Sequence, residues 1–112
     1  MKKTILLAVI LFFQFVLVAQ IQGDVARAGR QLLEEYSFVL EGNWNGKIVY
    51  DVAVLNTGEI SGLKFNHEES TIKSTPAQMK VRNYIADWKF EAGTHFPKHH
   101  QARIIITLVK PK

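Results

Sequence analysis

The chain has 112 residues, a formal charge of +4, no cysteine and 47% hydrophobic residues. Its length bounds it to one domain at most, and the lack of cysteine excludes a disulfide framework and any thiol chemistry. Residues 20–65 carry four basic and six acidic side chains, residues 66–112 eight basic and four acidic; the positive charges are scattered and read as a solvated surface, not a nucleic-acid face.

Residues 1–19 read as a signal peptide. Lys2 and Lys3 form a positive start, and Ile5 to Ala19 is apolar apart from Gln14. A cut after Ala19, with Leu17 and Ala19 at the specificity positions, leaves Gln20 as the new amino terminus. The alternative is an uncleaved anchor, but this run is shorter than the roughly 20 apolar residues of a membrane span. The expectation is an exported chain, periplasmic or envelope-associated, with membrane contact only if the segment is retained. No nucleic-acid partner is expected there.

Asp24 can cap a helix through VARAGRQLLEEYSFVL, where Val25, Ala28, Leu32, Tyr36 and Val39 form one apolar stripe. Gly29 weakens this helix, and Ser37-Phe38-Val39 can equally be extended. Glu41 to Gly46 is a loop carrying Trp44, whose indole is expected to pack against the sheet.

The stretch from Gly46 to Phe65 is the best-specified local structure. Ile48, Tyr50, Val52 and Val54 alternate with Lys47, Val49, Asp51, Ala53 and Leu55, as a strand requires. Asn56-Thr57-Gly58 supplies a turn, with Gly58 free to take positive φ, and Ile60 to Phe65 resumes an extended pattern.

After a polar loop, Thr75-Pro76 marks a second helix, with Thr75 as cap and Ala77, Val81, Ile85 and Trp88 as its buried stripe. Phe90 is expected to close its end over the core. Ala102 to Val109 is β-branched and ends before Pro111, so it reads as a strand. Ala102, Ile104, Ile106 and Leu108 share one face; Arg103, Ile105, Thr107 and Val109 share the other. The fold class expected is α+β: a small antiparallel sheet of about three strands with two helices on one face, all within residues 20–112.

The order of these marks resembles the carboxy-terminal domain of TonB-type energy transducers. The features that carry the resemblance are the Gly46-led strand with Ile48, Tyr50 and Val52, the Asn56-to-Gly58 turn, Trp88-Lys89-Phe90 after the helix, and the closing strand Ala102 to Leu108. It covers roughly Tyr36 to Val109. Asn66 to Ser70 replaces the family's Ser-Ser-Gly stretch, and Ser37 stands where Pro often follows Tyr. The transducers also carry a proline-rich spacer, whereas Gln20 to Asp24 is the only linker here, a reach of about 15 to 20 Å. A chain so built is not expected to couple two membranes alone.

The resemblance implies a protein-interaction module in TonB-dependent transport across the envelope, binding an extended segment of an outer-membrane receptor by strand addition. The partner-binding edge it implies is the last strand, with Arg103, Ile105, Thr107 and Val109. The alternative is an ordinary sheet strand whose edge is covered within the fold or by a homodimer partner, in an envelope-associated structural subunit.

A third reading is a small metal- or ligand-binding periplasmic protein built on His95, His99 and His100. His95 and His99 are four apart, but Pro97 between them argues against the helix that spacing needs. No catalytic motif is present, so neither enzymatic activity nor a cofactor is expected.

Overall fold

In a computed structural model the chain folds as an α+β domain, and the structure describes residues 20–111. The signal segment expected over residues 1–19 lies outside them. The elements in chain order are β1 (Ile21–Gln22), α1 (Asp24–Arg27), β2 (Val39–Glu41), β3 (Gly46–Leu55), β4 (Ile60–Phe65), α2 (Thr75–Ile85) and β5 (His99–Val109).

Five strands form one sheet in the order β1-β5-β3-β4, with β2 also on β5. All pairings are antiparallel except β2 on β5. The three strands expected from the sequence are the contiguous run β5-β3-β4 of this sheet; β1 and β2 are additional. They escape a pattern reading because runs of two and three residues show no periodicity.

The hairpin forms for the reasons its residues give. Leu55 C=O accepts the Gly58 N–H at 2.9 Å, and Gly58 adopts φ 94°, which lets the backbone turn into Glu59 without a side-chain clash. The register shifts between Ala53 and Val54, opposite Gly62 and Ile60, so a bulge twists the start of β4.

The long first helix is not formed. α1 has four residues, and Gly29 follows it at φ 68°, in the left-handed region that ends a helix. Gly23 occupies the N-cap position; Asp24 is the first helical residue and pairs with Arg27 instead of capping. Of the predicted stripe only Val25 is fully buried, whereas Ala28 and Val39 are exposed.

From Gln31 to Phe38 the chain instead runs as a strap across the end of α2. Leu33 N–H donates to Lys89 O at 2.9 Å and Glu91 N–H to Gln31 O at 2.8 Å. Tyr36 stacks on Trp88 at 4.7 Å, while Phe38 and Tyr84 meet the same indole edge-on at 5.2 and 5.6 Å. Packing Tyr36 and Phe38 of the strap against the indole, beside Tyr84 of α2, holds the strap in place where Gly29 ends the helix.

In α2, Ser74 is the N-cap and Thr75 the first helical residue, one position from the predicted cap. Ala77, Val81, Ile85, Trp88 and Phe90 are buried against Ile48, Tyr50, Val52 and Val54 of β3 and Ala102, Ile104, Ile106 and Leu108 of β5. Val25 of α1 joins the same cluster, and Trp44 packs on its margin. On the opposite sheet face Lys47, Asp51, Ala53, Leu55, Arg103, Ile105, Thr107 and Val109 are half-exposed, while Val49 among them is fully buried.

Candidate functional site

The predicted binding edge is the first surface to place. Alternation along β5 turns the backbone groups of Ile105 and Thr107 away from β3, as expected of residues chosen for an outer edge. That edge is already filled. Ile105 N–H donates to Gln20 O at 3.0 Å, Thr107 N–H donates to Phe38 O at 2.8 Å, and Val109 O accepts the Gly42 N–H at 2.9 Å. Arg103 lies in register with Gln22. The free partner edge expected at Arg103, Ile105, Thr107 and Val109 is therefore corrected: two segments of the chain itself, one antiparallel and one parallel, lie along it.

Their side chains project onto the uncovered sheet face. There Arg103 Nε donates to Asp51 Oδ1 at 2.8 Å, and Asn66 Nδ2 donates to Asp51 Oδ2 at 3.0 Å. The hydrogen bond and the charge of Asp51 hold the Arg103 guanidinium above its ordinary pKa. The pair is about a third exposed on both sides, which limits its stabilisation to less than about 1 kcal/mol.

The histidines do not converge. His95 packs on Phe96 with ring centroids 4.1 Å apart, His99 is exposed, and His100 is buried with Nδ1 3.4 Å from Arg30 Nη1. Consecutive residues on a strand face opposite ways, which separates His99 from His100. Among the described residues no group of three or more His, Cys, Asp or Glu side chains is placed to hold a metal ion.

What gathers around His100 is a buried cation, Arg30, 5% exposed. Its Nε donates to Glu91 O at 2.8 Å, its Nη2 to Leu55 O at 2.7 Å, and its guanidinium lies 4.2 Å from the Phe96 ring centroid. Burial lowers the Arg30 pKa, and the Glu91 charge partly opposes that. A lone arginine in a stretch read as helix carries no sequence signal for this role, which is to tie β3, β5 and the loop before β5 together.

The other long sheet edge belongs to β4. At its start, Phe90 N–H donates to Gly58 O at 2.8 Å, Glu59 bridges to Lys89, and their side chains pair at 3.5 Å. Beyond that point no described segment pairs with it. Asn66 N–H donates inward to Val49 O, so Lys64 also faces β3 while the N–H and C=O of Leu63 and Phe65 face outward.

The surroundings of this open edge differ on its two faces. On the core side Leu63 and Phe65 are half-buried, and Phe65 meets Tyr50 edge-on at 5.9 Å. The Tyr50 hydroxyl donates to Gln78 O of α2 at 2.9 Å, and the Arg82 charge acts on the same phenol. On the other face Lys64 is exposed beside a cavity of about 300 Å³ lined by Asp51, Phe65, Asn66, His67 and Glu68. Sequence reasoning missed this edge, because which strand ends a sheet is decided by pairings distant in the chain.

No protein-family model, curated protein or solved structure matches the chain. Among the described residues no helix is long and apolar enough to cross a membrane.

Proposed function

We propose that the chain is an exported protein-interaction module of the TonB carboxy-terminal type, which binds an extended partner segment by strand addition at β4. The observation that carries this reading is the unpaired outer backbone of Leu63 and Phe65, two donors and two acceptors that a partner strand satisfies. The edge moves from β5 to β4 because the chain already occupies β5. β4 is short, twisted by its bulge and marked by Lys64, features that disfavour indiscriminate edge pairing while leaving the edge open to a selected segment. An outer-membrane receptor segment is the partner class that the resemblance supplies. The reading contains no chemical step.

The test is capture of outer-membrane receptors from envelope extract by the chain starting at Gln20. Leu63→Pro removes an outward N–H while sparing the inward ladder, and it is expected to abolish capture with the fold retained. Capture that persists undiminished in this variant would remove β4 as the binding edge.

A further inference from the structure

We infer that the segment added at β4 is acidic, an inference that rests on the strand-addition reading and names its partner class. Lys64 stands in the middle of the open edge on the uncovered face; on the core side Arg82 lies about one helical turn after Gln78, whose carbonyl accepts the Tyr50 hydroxyl, and the Tyr50 ring meets Phe65 edge-on. Neither cation makes an ion pair among the described residues. Asp51, directly across the ladder from Lys64, is taken by Arg103 and Asn66. Glu59 at the start of β4 is paired with Lys89; Glu68 and Glu69 follow its end, and Glu68 lines the cavity beside Lys64 without an ion pair to it among the described residues.

An added strand therefore meets the Lys64 charge along its middle, with Arg82 on the α2 side of the sheet and negative charge toward the Phe65 end. Its side chains alternate between the faces. Apolar residues on the core side extend the surface of Leu63 and Phe65, and carboxylates on the other side come beside Lys64. Arg82 adds to the same positive field, which speeds encounter with acidic segments and disfavours basic ones.

The probe is a fluorescein-labelled, end-blocked peptide of about nine residues alternating Val and Glu, compared with its Val–Lys counterpart by anisotropy titration against the chain starting at Gln20. The acidic peptide is expected to bind at least about tenfold more tightly, with the advantage shrinking at roughly 0.5 M salt. Lys64→Glu combined with Arg82→Glu, both at exposed positions, is expected to reverse the preference. Equal binding of the two peptides that Leu63→Pro abolishes would leave strand addition standing and overturn the acidic class. Binding of neither peptide, or binding indifferent to Leu63→Pro, would overturn both. A dimer of the chain alone that Leu63→Pro disperses would assign the edge to a second copy and overturn the peptide class.

Discussion

A β-carbon added to Gly58 would lie 2.1 Å from the Phe90 carbonyl oxygen, so the hairpin turn and the segment after α2 approach with no space for a side chain. Phe90 N–H donates back to Gly58 O at 2.8 Å across the same contact. Gly58→Ala must therefore move backbone as well as adopt a positive φ of 94°. The expected loss is about 2 kcal/mol or more, measured by urea denaturation; a variant as stable as the parent would contradict the contact.

Arg30 is expected to matter more than any ion pair on the surface. Arg30→Met leaves the Glu91 carbonyl without its guanidinium donor, leaves the Leu55 carbonyl with the Gly58 N–H alone, and exchanges the guanidinium over Phe96 for a thioether. A loss of about 2 to 3 kcal/mol is expected. Arg30→Lys should recover less than half, since an ammonium cannot reproduce the planar fork. Equal stability of Arg30→Lys and the parent in denaturant titrations would remove the geometric argument.

Tyr50 gives the fold an alkaline limit. Burial pushes its phenol up from the ordinary 10.0, against a smaller lowering by Arg82. The unfolded chain ionises first, so this contribution is full below about pH 10 and is lost as pH rises through the folded pKa. Tyr50→Phe should flatten that part of the alkaline fall while costing about 1 kcal/mol at neutral pH through the bond to Gln78. Melting curves from pH 8 to above pH 10 check both effects.

The open edge predicts a parity in amide exchange. Lys64 N–H, facing β3, should exchange slowly, while its neighbours Leu63 and Phe65 exchange fast. Proline should follow the same rule: Lys64→Pro breaks the ladder at a cost of about 3 kcal/mol, whereas Leu63→Pro loses mainly side-chain packing. Protection at all three amides in the free chain would mean that the edge is covered.

The parts legible from sequence are those whose partners lie nearby in the chain. Alternation from Lys47 to Leu55, the Asn56-to-Gly58 turn and the α2 stripe each encode a local period, and the same residues form the observed faces. β5 was readable too, but its role was not. Whether Ile105 N–H meets a partner or the chain depends on Gln20, which is 85 positions away. The strap shows the converse failure: Leu32 and Tyr36 fall at helical spacing, yet Gly29 ends the helix and the packing of Tyr36 on Trp88 holds them in a non-helical segment. Exposed Lys64 and the uncovered β4 edge leave no periodic mark at all.

β5 receives β3 on one side and both β1 and β2 on the other, which imposes an order in time. As the chain leaves a ribosome amino end first, the β3–β4 hairpin is the only pairing among the described strands that can form before His99 appears, and an isolated hairpin is marginal in water. Every other strand waits for the last residues of the domain. The sheet thus stays open for almost the whole of synthesis and closes in one late event.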